Sequence, residues 1–153
     1  MTEINEQDAQ GPILAADNEA VTKHMEMYQG IITRMAGNSA ACKMWGIPLV
    51  AAILGFVIEG KNSSLVILAM LTILILYFLD SYYLKLENDF RQGFNNSATK
   101  IQTESFRQSD LYKLMPSDSE DEHWKKASRS FATWPVYLGL FVLVLFGFYA
   151  VAS

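Results

Sequence analysis

LVILAMLTILILYFLDSYYLKLENDFRQGF, residues 65–94, changes character halfway along. Its first half is apolar on every side. Its second half is apolar on one stripe only, formed by Leu79, Tyr83, Leu86, Phe90 and Phe94. A helix that is apolar all round suits lipid, whereas a striped helix needs a protein partner on one face and water on the other. Neither Gly nor Pro falls between Leu65 and Gln92, so nothing breaks the helix where the pattern changes. The expectation is one long helix that crosses a bilayer and runs on into the cytoplasm, with Asp80 at the handover.

Two other apolar blocks flank this one. Residues 40–59, AACKMWGIPLVAAILGFVIE, reach the roughly 20 residues a span needs if Lys43 snorkels back to the headgroups. Trp45 stands where an interfacial aromatic belongs, and Pro48 is read as lying early in this helix. Residues 134–152, WPVYLGLFVLVLFGFYAVA, carry no charge, and Trp134, Tyr137 and Tyr149 fall near the two ends. The turn at residues 60–64 is so short that the first two spans must run antiparallel. Its Asn62-Ser63-Ser64 matches a glycosylation acceptor but reads more simply as a polar turn with a Ser cap.

The remaining segments are polar. Residues 1–16 are acidic, contain Gly11-Pro12 and lack a signal-peptide pattern, so a mobile tail is expected. Residues 17–38 form an amphipathic cytoplasmic helix, capped by Asp17, with Val21, Met25, Tyr28, Ile32 and Met35 on one face, ending near Gly37-Asn38. Its apolar face is expected to cover the stripe of the 65–94 helix, within a hairpin-plus-extension unit of residues 39–94. Residues 95–133 form a second cytoplasmic helical segment: a break at Asn95-Asn96-Ser97, a helix to Leu114, a stop at Pro116, and a short helix capped by Ser117 and Glu120. Residues 134–153 are the third span. The fold class is therefore an all-α integral membrane protein with three transmembrane helices and a helical cytoplasmic region.

Charge fixes the expected orientation. Three bases precede or enter the first span, one lies in the first loop, and eight lie between the second and third spans. Eleven against one places the N-terminus and the 80–133 segment in the cytoplasm, the C-terminus outside, and the protein in a plasma membrane. Net charge is −4, so bulk charge argues neither for nucleic acid nor for anionic lipid. A single cysteine, Cys42, excludes an internal disulfide and a cysteine-built metal site.

No phosphate loop, HExxH, GxSxG or paired-carboxylate motif is present, and Arg107 lies too far from His123 for a ribonuclease-type pair. His24 and His123 read as a packed or surface histidine and a solvated one. The expectation is no enzyme, no cofactor and no metal. A pore is the sharper reading. Three helices cannot surround an aqueous path, so it requires a ring of copies, with four as the expectation, and Gly46, Ala51, Gly55, Gly139 and Gly147 permit close helix contact. Glu59, Thr72 and Asp80 are the pore or gate candidates; Asp80 has pairing with Lys43 or Lys85 as its plainer role, and Glu59 that of a solvated loop end. Arg34, Lys85, Arg91, Lys100 and Arg107 are the ligand-binding candidates, although acids interleave with them. Phe90, Phe94, Phe106 and Tyr112 could stack bases but read first as core. The class-distinct alternative is a non-conducting membrane anchor that recruits a cytoplasmic partner.

One pattern goes further. His24-x-x-Met27, Gln29-Gly30-Ile31-Ile32-x-Arg34-Met35-Ala36, Asn38-Ser39 and Lys43-x-Trp45, followed by Leu79-Asp80-x-Tyr82-Tyr83-Leu84-x-x-Glu87-x-x-Phe90-Arg91, resembles the small bacterial SLATT-type transmembrane effectors of anti-phage systems. The nearest resemblance is to the HalB-type effectors of Hailong systems. It covers residues 20–95, and the third span by hydropathy alone. It implies an oligomeric inner-membrane channel held shut by the single-stranded DNA or nucleotide product of a nucleotidyltransferase partner and released on infection. Carried over by position, it singles out His24, Arg34, Lys43, Asp80, Glu87 and Arg91. Of these, Arg34, Asp80, Glu87 and Arg91 are expected to form one polar network, with His24, Lys43 and Glu87 coupling ligand to pore.

Overall fold

The computed structural model describes residues 11–60, 64–115 and 120–152, with the side chains of residues 120–123 and 152 left undescribed. Four α-helices follow in order: α1 (Glu19–Gly60), α2 (Ser64–Gln102), α3 (Glu120–Ser128) and α4 (Trp134–Ala152). A 3-10 turn, Gln108–Asp110, lies between α2 and α3. The described residues contain no strand. Three helices, α1, α2 and α4, are long and apolar enough to cross a membrane.

Two boundaries differ from the sequence expectation. α1 does not end at Gly37-Asn38 but runs unbroken for 42 residues, so Pro48 lies deep inside it rather than near a start. Gly37 is exposed and costs the helix only about 1 kcal/mol relative to Ala. Continuing the helix brings Ser39 and Lys43, four residues apart on one face, onto Asp80. α2 likewise passes through Asn95-Asn96-Ser97 to Gln102. The hydroxyls of Thr99 and Thr103 bond back to the carbonyls of Asn95 and Thr99, so polar side chains there reinforce the helix backbone rather than breaking it. The helix expected as far as Leu114 is instead an irregular segment from residue 103 onward. The cap expected of Ser117 and the Glu120 side chain lies outside the described groups.

The chain forms two compact units, each containing part of α1 and part of α2. The first comprises Met1–Arg34 and Leu86–Ser119. Asn18, not Asp17, caps α1: its Oδ1 accepts from the Ala20 N–H at 2.9 Å. Val21, His24 and Tyr28 are buried on the expected face, with Phe106 wholly enclosed against them. The His24 ring meets Tyr28 edge-on at 5.2 Å and Phe106 at 5.4 Å, and Tyr28 meets Phe90 at 6.4 Å. The α1 stripe thus covers the extended part of α2. Gly93 allows this approach, since a Cβ there would stand 2.9 Å from the Tyr28 hydroxyl. Residues 11–16 are tied down rather than loose: Leu14 N–H donates to Phe106 O, Gln108 N–H to Pro12 O, and an isolated antiparallel bridge pairs Ile13 with Arg107.

The second unit comprises Met35–Lys85 and Glu120–Ser153. Its core is a seam of Val50, Leu54 and Val57 from α1, Val66, Ala69 and Ile73 from α2, and Tyr137 and Val144 from α4. The steps of three, four and seven are those of helices packed along one stripe. Only 28%, 28% and 17% of the three apolar windows is buried, so most of their apolar side chains point outward. Such a surface is compatible with lipid; in water it would drive aggregation. α3 lies on α2 through stacking of Trp124 on Phe78 and a bond from the Tyr77 hydroxyl to Ser128 O at 3.1 Å.

Candidate functional site

The second unit carries a buried polar cluster at the end of its apolar seam. Asp80 is 0% exposed. The Lys43 ammonium lies 2.6 Å from its Oδ2, and the Ser39 hydroxyl donates to its Oδ1 at 2.5 Å. Lys43 also donates to Ser39 Oγ at 3.3 Å, which closes a three-membered ring of contacts. The Tyr137 hydroxyl of α4 is buried without a hydrogen-bond partner among the described residues. Cys42, Ser81 and Thr133 are buried in this unit as well. The cluster therefore joins α1 and α2.

Its depth matters. The apolar run 65–79 rises about 22 Å, less than the ~30 Å of a bilayer's hydrocarbon core. A span entered at Leu65 would therefore leave Asp80 inside the hydrocarbon, about 8 Å short of its far edge, where an unpaired carboxylate is costly. Lys43 does not snorkel freely to the headgroups as expected. Its side chain is 21% exposed and its charge is turned onto Asp80. These contacts hold α1 and α2 in one register.

The other sequence candidates are dispersed. Glu59 is exposed at the end of α1, and Thr72 bonds its own helix at Leu68 O. Arg34 is exposed, with no hydrogen bond or ion pair among the described residues. Lys85 is half-buried. Arg91 pairs with Glu87 at 2.8 Å, one helical turn away. The network expected of Arg34, Asp80, Glu87 and Arg91 is thus reduced to the Glu87–Arg91 pair, because Asp80 is engaged by Lys43 and Ser39. Lys100 and Arg107 do not converge on a ligand site either. Lys100 pairs with Asp110 at 2.8 Å, and Arg107 donates to Gly11 O at 3.3 Å, so both hold the 103–115 segment in place.

His24 belongs to that same segment, not to a cluster with Lys43 or Glu87. Its Nδ1 accepts from the Tyr112 N–H at 3.0 Å, while its Nε2 is buried without a partner. Burial holds the imidazole below its ordinary pKa, against the opposing charge of Asp110. Burial pushes Asp110 upward, but the bonds from Lys100 and the Arg107 N–H, with the charges of Lys100 and Lys113, outweigh it and leave the carboxyl low. Both groups therefore sit at neutral pH in the form the packing requires.

The first unit also has a cleft of about 430 Å³ lined by Gln29, Ile32, Thr33, Arg91, Phe94 and Asn95. Among these, Arg91 was legible in the sequence as a ligand candidate and Phe94 as an aromatic that could stack bases. Gln29, Thr33 and Asn95 show themselves only once α1 and α2 are paired. Ser39 was missed for a related reason: its signal was the i,i+4 spacing with Lys43. No protein-family model, no curated protein and no solved structure matches the chain.

Proposed function

We propose that this chain is the subunit of an oligomeric, gated membrane pore in which the Lys43–Asp80–Ser39 cluster is the latch. The observation that carries this reading is the fully buried Asp80 carboxylate, paired with a partly exposed Lys43 at the end of the apolar seam. Buried charge contributes little to stability compared with well-packed apolar residues, so its presence calls for another role, and a two-position element is the best attested one. A single chain of three spans encloses no aqueous path, so conduction requires a ring, of which a tetramer is our working number. The N-terminus and the first unit face the cytoplasm of a bacterial inner membrane, by the distribution of bases.

The resemblance to SLATT-type effectors supplies the setting: anti-phage defence by depolarisation, with the product of a nucleotidyltransferase partner as the brake. The cleft of Arg91, Gln29, Thr33, Asn95 and Phe94 offers a cation, several hydrogen-bonding groups and an aromatic face to such a nucleotide or single-stranded DNA. α1 and α2 run unbroken through both units, so rotation of either helix at the cleft is carried along its own backbone to residues 39–43 and 80.

The test is membrane potential. Expressed without a partner, the chain is expected to collapse the signal of a voltage-sensitive dye, and purified protein is expected to pass cations across liposomes. Asp80→Asn is the informative variant, because Lys43 can then extend to the headgroups and the fold survives. Loss of the latch should raise flux roughly tenfold, the equivalent of ~1.4 kcal/mol of closed-state preference. Lys43→Met strands an enclosed carboxylate and should cost the fold about 3–5 kcal/mol instead. If wild type and Asp80→Asn both reach the membrane and neither passes ions, the chain conducts nothing and the anchor reading replaces this one.

A further inference from the structure

The second unit has an open apolar groove of about 550 Å³ between α2 and α4, lined by residues that include Met70, Leu74, Tyr77, Trp134, Leu138 and Phe141. Its aromatic end is marked by Tyr77 and Trp134. The Tyr77 hydroxyl bonds Ser128 O, which brings the C-terminus of α3 to that end. The Trp134 N–H bonds Ser130 O at 3.1 Å, so the connection between α3 and α4 is tight. Three bases, Lys125, Lys126 and Arg129, fall within these few residues, and all are exposed. The chain as a whole is acidic, so this is a local concentration of positive charge. Asp121 and Glu122 stand four residues before Lys125 and Lys126, whereas Arg129 has Lys125 four residues before it.

We propose that the groove and the base cluster together form a site for one anionic phospholipid. An acyl chain lies between α2 and α4, Trp134 sits at the glycerol level, and Arg129 takes the phosphate with Lys125 and Lys126 beside it. The pairing of an apolar slot with cations beyond its aromatic end fits a lipid and no water-soluble anion. A guanidinium binds phosphate through two parallel N–H donors, which makes Arg129 the directing residue. The site does not depend on conduction, only on the spans lying in a bilayer.

The full chain in phosphatidylcholine nanodiscs is titrated with phosphatidylglycerol, and melting temperature is followed. A saturable rise is expected with phosphatidylglycerol and none with added phosphatidylcholine or soluble glycerol phosphate. Replacing Lys125, Lys126 and Arg129 by Gln should weaken the apparent affinity by roughly fivefold per base while leaving melting in phosphatidylcholine alone unchanged. Leu138→Trp, at an exposed groove position, should fill the slot and abolish the rise without loss of helix content. Equal responses to the two lipids, an undiminished response in the Gln variant, or a matching response to glycerol phosphate would each overturn the proposal. So would a Leu138→Trp chain that changes oligomer size but keeps its phosphatidylglycerol response, since the groove would then belong to a second copy.

Discussion

His24 shows how one side chain makes a fold depend on pH. It is 1% exposed, and its Nδ1 accepts the N–H of Tyr112, a residue held at φ 61°. A non-glycine residue there is strained and persists only because its surroundings hold it. Protonation would turn the Nδ1 acceptor into a donor facing a donor and would place a charge among Tyr28 and Phe106. The folded pKa lies below the ordinary 6.5, so the unfolded chain binds the proton more readily. Stability from this contact is therefore present above about pH 6.5 and is lost as pH falls through the folded value. Asp110 acts in the same direction at lower pH, because its carboxyl is held below the ordinary range. Hydrogen exchange of the Tyr112 amide, corrected for the intrinsic pH effect, should lose protection between pH 7.5 and 5. His24→Asn keeps an acceptor in nearly the same place and should flatten that dependence. Equal protection in wild type at both pH values would show that the imidazole does not hold this segment.

Among the helices, what the sequence made legible was what a single stretch determines. α4 and the first half of α2 are apolar all round, and no other element competes for such residues. The boundaries were legible only where local preference agreed with packing. Gly37-Asn38 and Asn95-Asn96-Ser97 carry turn-forming residues, yet both lie inside helices because Ser39, Lys43 and Tyr28 gain partners only if α1 and α2 continue. The Lys43–Asp80–Ser39 cluster was half legible for the same reason. Asp80 announced itself within an apolar run, but its partners lie about forty residues away in sequence. The true end of α2 is settled by backbone geometry. Ser105 N–H returns to Lys100 O at 2.8 Å and Glu104 N–H to Ile101 O at 3.2 Å, a Schellman ending with Glu104 at φ 51°. That position favours glycine, and Glu104 is exposed with no side-chain bond among the described residues. Glu104→Gly should stabilise the first unit by about 1 kcal/mol, read as a higher denaturant midpoint for a fluorophore near Phe106. A lower midpoint would mean that the carboxylate contributes more than the strain costs.

The chain as a whole has two kinds of small residue on its spans, and they make different claims about assembly. Gly46 and Gly147 are used inside the chain: an added Cβ would stand 2.7 Å from Leu76 Cδ1 and 3.0 Å from Leu54 Cδ2. Gly55 and Gly139 have nothing within 4 Å of an added Cβ, and Ala51 beside Gly55 is exposed. Lipid tails are as apolar as leucine, so helices in a bilayer associate through close backbone approach, for which such faces are suited. Gly55→Leu therefore separates folding from assembly. Within one chain a Cβ at Gly55 has nothing within 4 Å and Gly55 itself is exposed, so melting should change by less than ~0.5 kcal/mol. If copies pack through this face, as the proposed ring requires, it would hold neighbours apart, and native mass spectrometry in nanodiscs should show the assembly reduced to smaller species, with depolarisation lost in the same variant. Gly46→Leu serves as the opposite control, because it collides with Leu76 and should damage the fold before any assembly forms. If Gly55→Leu leaves the copy number intact, the Ala51–Gly55 face points to lipid and the subunits meet elsewhere. If the copy number falls but depolarisation persists, conduction does not need the ring, and a latch closing on a pore axis loses its basis.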